Sequence, residues 1–189
     1  MAFSKMRLSA ANPAVTNRFV TSTNMIVGAY SVANATMPTT PGARRITITH
    51  TTVVTTDTLG TVTITGTDLH GATISDVITP VADSLATGTK FFVTVTGVVG
   101  AGWVIAGSND TLVVGCEAGS AVLDAGGQLY AVVVNTTAAG TVILADGGGA
   151  FATLKSSIAE GTYYYQIDTG GFLKATLAAA SDVTLIYAA

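Results

Sequence analysis

The stretch GTVTITGTDLHGATISDVITP, residues 60–80, decides the fold class of this chain. Val62 and Ile64 alternate with Thr61, Thr63 and Thr65; Ile74, Asp76 and Ile78 alternate with Ser75 and Val77 until Pro80 ends the run. A period of two sends successive side chains to opposite faces of a strand. Each run therefore reads as a strand with one face on a core and a polar face toward solvent or a partner. Between the runs, Thr67, Asp68, Leu69, His70 and Gly71 read as a hairpin turn, where Asp bonds nearby backbone and Gly supplies positive φ.

The same signature recurs on both sides. Upstream, Ile46 and Ile48 alternate with Thr47 and Thr49. Downstream, Phe91, Val93 and Val95 oppose Phe92, Thr94 and Thr96, and Trp103 to Ile105 and Leu112 to Val114 make two further short runs. Beyond a Gly-rich junction (115–127), Leu129, Ala131 and Val133 alternate with Tyr130, Val132 and Val134. Val142 and Leu144 follow, then a turn at Asp146, Gly147, Gly148 and Gly149, a face with Tyr163, Tyr165 and Ile167, and a closing run of Val183, Leu185 and Tyr187. Short runs at this spacing are the pattern of a sandwich or barrel. No stretch of ten or more residues reads as a helix; 153–160 suits a short turn. The expectation is an all-β, antiparallel β-sandwich or jelly-roll-like fold in two modules, 25–118 and 119–189.

Residues 1–24 show neither period, and Pro13 blocks a helix. They read as an extended N-terminal arm of the kind that orders only on another surface. Charge sets this leader apart. Lys5, Arg7, Arg18, Arg44 and Arg45 are the only charged residues in the first 56 positions, a formal +5. The other 133 residues carry eleven acids against Lys90, Lys155 and Lys174, or −8, so the net −3 joins a basic leader to an acidic body. Such asymmetry points to docking on something negative, such as the acidic body of a neighbouring copy. The body repels phosphate, so nucleic acid is not an expected partner. Arg44 and Arg45 directly precede a strand and suit carboxylate pairing at a module edge or subunit contact.

Charged residues make up 10% of the chain, against roughly 25% in an average soluble domain. The 32 Thr and 21 Gly fill much of the gap. Mean hydropathy is +0.56, yet no run of about 18 uncharged apolar residues exists to span a bilayer as a helix. No continuous apolar segment follows Lys5 and Arg7 as a secretion signal requires. The single Cys116 allows neither an internal disulfide nor a Cys-based zinc cluster, and its neighbours suggest a small buried hydrophobe at a strand end. Synthesis in a reducing cytoplasm is expected.

Catalysis needs titratable groups that converge. His50 ends the strand of Ile46 and Ile48, His70 sits in a turn, and neither has evident partners in sequence. Asp68, Asp110 and Asp146 lie in turn contexts, where Asp bonds backbone. HExxH, GxSxG, P-loop and dinucleotide-binding patterns are absent. No enzyme activity, metal or cofactor is expected. Tyr163, Tyr164 and Tyr165 in succession must place rings on both faces of a strand. The inward face packs a core; the outward one suits subunit contact or stacking on a glycan, as does Trp103.

Together, RRITIT (44–49), GTVTITGTDLHG (60–71), ISDVITP (74–80) and GTKFFVTVTGV (88–98) resemble a Thr-rich β module recurrent in virion proteins of tailed bacteriophages. The resemblance covers about half of the chain, with His70 in place of the commoner asparagine. The later half is similar, more weakly, to small jelly-roll-like phage domains. The resemblance implies a non-enzymatic virion structural protein on the capsid surface. In that role it is a capsid decoration, or cement, protein that binds the major capsid protein as a homo-oligomer, by expectation a trimer. Lys5, Arg7, Arg18, Arg44 and Arg45 are then the capsid or subunit contacts, and Tyr163, Tyr164 and Tyr165 the oligomer or glycan contacts. A tail, neck or fibre subunit and a carbohydrate-binding adhesin are the alternatives.

Overall fold

The computed structural model describes residues 2–38 and 41–189; Met1, at the head of the expected arm, and Thr39 and Thr40, inside the first expected module, lie outside them. The chain is all-β. The strands are β1 (Ser4–Leu8), β2 (Val15–Asn24), β3 (Gly28–Ala29), β4 (Arg44–Thr51), β5 (Thr61–Thr67), β6 (Thr73–Ile78), β7 (Leu85–Phe92) and β8 (Thr94–Ala101). There follow β9 (Thr111–Cys116), β10 (Ser120–Leu123), β11 (Gly127–Val134), β12 (Val142–Asp146), β13 (Gly149–Leu154), β14 (Gly161–Thr169), β15 (Leu173–Leu177) and β16 (Val183–Ala188). They form four antiparallel four-stranded sheets and two compact units, between which the chain passes four times.

The central unit comprises Ala14–Pro38 and Arg44–Glu117. Its sheets run β2-β9-β4-β7 and β3-β8-β5-β6. Ile46 and Ile48 of β4 and Val114 of β9 share one apolar core with Val62 and Ile64 of β5 and Val98 of β8. Full burial of each such side chain stabilises the unit by about 1.5–3 kcal/mol. The hairpin between β5 and β6 turns at Gly71, φ 78°, with Asp68 Oδ1 accepting the His70 and Ala72 amides at 2.8 and 2.9 Å.

Two runs differ from their sequence reading. Phe91 to Thr96 is not one strand: β7 ends at Phe92 in one sheet and β8 starts at Thr94 in the other. Phe91 and Phe92 are both buried at this corner, Phe92 in the core and Phe91 on the opposite face beneath Arg45. Trp103 to Ile105 is no strand either; Val104 makes an isolated bridge with Thr58.

The terminal unit comprises the residues up to Pro13, a short segment ending at Ala43, and Ala118–Ala189. Its sheets run β1-β16-β11-β14 and β10-β15-β12-β13. Leu129 and Val132 of β11 and Leu185 of β16 share a core with Leu144 of β12 and Leu173 of β15. Buried Asn12 ties the leader to this unit. Its side chain accepts the Leu177 amide at 2.7 Å and donates to the Ala175 carbonyl at 3.1 Å and to Ser120 Oγ at 3.2 Å.

The leader is therefore not an arm. β1 pairs with β16 in the register Ser4↔Tyr187 to Leu8↔Val183, and β2 pairs with β9. The central unit begins at Ala14, not Met25. In β2 the buried Phe19 and Val20 are adjacent instead of alternating, and the pairing slips twice, so no period of two reaches the sequence. In β1, an edge strand, only Met6 and Leu8 carry the apolar face.

Candidate functional site

The outer face of the β1-β16-β11-β14 sheet gathers residues from four separate stretches of sequence. On β1, Met6 and Leu8 turn to the core, so the period of two sends Lys5 and Arg7 to the exposed face. Phe3, two residues before Lys5, continues that row and is 52% exposed. Lys5 lies opposite Ile186 and Arg7 opposite Thr184; Val133 of β11 is the next partner of Thr184. On β11 the register shifts between Leu129 and Ala131. Tyr130 and Ala131 consequently both lie on the outer side, with Ala131 fully covered opposite Ile186 and Tyr164, while Val132 turns to the core and Val133 returns to the outer side. This corrects the simple alternation read for residues 129–134.

On β14, Tyr163 and Tyr165 pack against the core, while Tyr164 is 66% exposed on the outer face. The Tyr163 hydroxyl donates to the Ala159 carbonyl at 2.9 Å, and burial pushes the Tyr165 phenol up, helped by Tyr163. Gln166, at φ 54°, marks an irregularity inside β14, beyond which Ile167 pairs with the buried Leu129 and so lies on the side of Tyr163 and Tyr165. Three rings then line up across the sheet. Phe3 and Tyr130 have centroids 4.9 Å apart, and Tyr130 meets Tyr164 edge to face at 5.6 Å.

On the same face a shallow cavity of about 450 Å³ is lined by Lys5, Arg7, Val133, Asn135, Thr184 and Ile186. Arg7 grips Asp182 with two parallel hydrogen bonds, the Nε contact at 2.7 Å. Asp182 also accepts from Asn135 at 3.0 Å. The Arg7 hydrogen bonds, more than any other influence, hold the Asp182 carboxyl below its usual range. Lys5 has no acidic partner among the described residues, so the cavity keeps one uncompensated positive charge.

The other basic residues named from sequence do not reach this face. Arg44 is fully buried; its guanidinium donates to the Glu117 carbonyl at 3.4 Å and lies 3.9 Å from Cys116 Sγ. Burial lowers the Arg44 pKa and raises that of Cys116, which is a buried strand-end thiol as its neighbours suggested. Arg44 thus cannot be a surface contact. The period of two carried this signal, because Arg44, Ile46, Ile48 and His50 share the inward face of β4. Arg45 pairs with Glu117 through two 2.9 Å hydrogen bonds and lies over the Phe91 ring. Arg18 donates to the Thr36 carbonyl at 3.0 Å. The basic leader finds acidic partners within its own chain, at Asp182 and Glu117.

His50, expected to lack partners, sits instead at the centre of a buried network in the central unit. Its Nδ1 accepts the Asp83 amide at 3.0 Å, which places the ring proton on Nε2, 3.0 Å from Asp110 Oδ2. Asp110 also accepts the Val53 and Asp57 amides at 2.9 and 2.8 Å. Asp57 in turn accepts the Ala106 and Asp110 amides at 2.7 and 3.1 Å. Burial, the largest influence on Asp110, would raise its pKa, but these hydrogen bonds outweigh it and the pKa falls. With each of the four carboxylate oxygens accepting from backbone or imidazole, the network clamps two loops. Val53 and Val54 stand on one, Val104 and Ile105 on the other, each more than half exposed.

Asp146 serves its turn in the same way, accepting the Gly148 and Gly170 amides. Among the described residues no group of three or more His, Cys, Asp or Glu side chains could hold a metal, and no helix is long and apolar enough to cross a membrane. No protein-family model matches the chain, and comparisons with curated proteins and with solved structures find no match. Sequence reading missed Phe3 and Tyr130 among the rings, and Asn135, Asp182, Thr184 and Ile186 around the cavity. Phe3 was legible as the start of the alternation Phe3, Lys5, Arg7; Tyr130 was hidden behind the slip in β11.

Proposed function

We propose that this protein is a non-enzymatic structural subunit of a tailed-bacteriophage virion. In this reading it is a capsid decoration protein that binds the major capsid lattice from outside as a homo-oligomer, a trimer by preference. The observation that carries the reading is the clamped pair of apolar loops. Single exposed aliphatic residues are ordinary on a protein surface, whereas a group of them rimmed by polar residues marks an interaction site. Val53, Val54, Val104 and Ile105 form such a group, on loops held from below by Asp57 and Asp110. Loops already fixed lose little entropy on docking. Covering the four side chains contributes about 1 kcal/mol each, and an oligomer repeats the contact at every copy, so weak contacts sum to a firm hold. The resemblance of residues 44–98 to virion β modules supports the same reading.

The test is quantitative gel analysis and imaging of intact particles, with V53D and V104D chains supplied alongside wild type. On the order of hundreds of copies on the head, lost with either substitution while the isolated protein melts unchanged, is the expected result. About six or twelve copies at the neck or tail would transfer the protein to a connector or fibre role. Absence from particles would end the virion reading.

A further inference from the structure

The outer face of the β1-β16-β11-β14 sheet has the composition of a ligand site, and nothing in the assembly role accounts for it. We propose that this face binds an acidic polysaccharide. The rings of Tyr164 and Tyr130 would stack on the apolar C–H faces of successive sugars, and Lys5 would pair with a sugar carboxylate seated in the adjoining cavity.

Three independent features meet here. The rings of Phe3, Tyr130 and Tyr164 form a continuous contact line across the sheet, and Tyr164 is largely exposed. Aromatic rings with a wet hydroxyl suit a ligand that is apolar on one side and polar at its edges, which describes a pyranose. The cavity of about 450 Å³ falls within the range of small-molecule sites, roughly 300–1,000 Å³. Its polar lining supplies both donors and acceptors: Thr184 and Asn135 for hydroxyl groups, Lys5 and Arg7 for a carboxylate.

Charge decides the class of sugar. Of the two cations, Arg7 is committed to the Asp182 carboxylate by two hydrogen bonds. Lys5 remains to attract an anion. A strand of glycan fits this open sheet face, because the lining combines two cations (Lys5, Arg7), two short polar side chains (Asn135, Thr184) and two aliphatic ones (Val133, Ile186), the mixture that a sugar's polar edges and apolar faces need. The site is independent of the capsid reading and stands or falls separately.

The probe is a uronic-acid oligosaccharide of alginate type, titrated by calorimetry into the full-length protein, with a neutral glucan oligosaccharide of equal length as the comparison. The expected result is saturable binding of the uronate, with the neutral glucan weaker by about tenfold or more. Y164A should weaken the uronate by about tenfold, near the upper end of one stacked ring. K5Q should erase the preference for the acidic sugar and flatten its dependence on salt. Both side chains are exposed, so both variants should melt with wild type. No uronate binding, binding indifferent to Y164A and K5Q, or a dimer in solution that Y164A dissociates would each overturn the proposal, the last by assigning the face to a second copy of the chain.

Discussion

Replacing Asp110 with alanine is expected to destabilise the central unit by about 4 kcal/mol. The carboxylate accepts from three donors: the Val53 amide at 2.9 Å, the Asp57 amide at 2.8 Å and His50 Nε2 at 3.0 Å. A buried donor stripped of its acceptor costs about 1–3 kcal/mol. Val53 lies beside solvent, where water can replace the lost oxygen, so about 1 kcal/mol applies there. The Asp57 amide and the imidazole are buried and cost about 2 kcal/mol each. Relaxation within one network makes these costs less than additive, which brings the sum to about 4 kcal/mol. Asp110→Asn keeps one acceptor oxygen and should lose about half as much. The single tryptophan, Trp103, is buried in the central unit, so urea unfolding followed by its fluorescence reads the affected unit directly. The midpoint should fall with the slope unchanged. A loss below about 1 kcal/mol for the alanine variant would refute the reasoning, since that is the ordinary cost of a surface change.

Deleting residues 1–8 tests the strand assignment of the leader. Loss of β1 exposes core against which Met6 and Leu8 pack, and the melting temperature should drop by several degrees, whereas removal of a dispensable arm would leave it unchanged. Gly66→Ala would set a Cβ 1.9 Å from the Thr94 carbonyl oxygen and 2.9 Å from the Phe92 ring; a loss of about 3 kcal/mol is expected in the same urea assay. Stability should also fall in acid. Asp182 is held low by Arg7, Asp146 by the Gly170 and Gly148 amides and Asp83 by the Thr52 amide, while in Asp110 hydrogen bonds outweigh burial. A carboxyl whose folded pKa lies below its unfolded value contributes stability that is complete above about pH 4 and disappears as pH falls through the folded value. Melting temperature should therefore be flat from neutrality to about pH 5 and decline below pH 4, less steeply in D182N.

Where strands alternate cleanly, as in Val62 to Ile78, the sequence shows the fold without ambiguity, because each side chain can serve only one face. It fails where the backbone slips. The adjacent Phe19 and Val20 both enter one core, the slip in β11 places Tyr130 and Ala131 together on the outer side, and at Phe91 and Phe92 both faces of the strand are covered, so periodicity then reports noise. The candidate site was legible in fragments. Tyr164 had to point outward and Lys5 and Arg7 share a parity, but their meeting depends on strand order, which alternation does not encode. Arg44 shows the opposite error: its charge suggested a surface, although its parity with Ile46 and Ile48 already placed it inside.

The pairing of β1 with β16 also sets a clock on biosynthesis. Leu8 must wait for Val183, its partner in register, and at about 5–20 residues per second the ribosome needs roughly 10–35 s to supply it. During that interval the edge strand carries Met6 and Leu8 without their sheet, while the central unit has all of its strands once Cys116 has emerged. Nascent chains should accordingly acquire a protease-resistant central unit well before β1 becomes protected, and a chaperone that shields short apolar strands would find its substrate in β1.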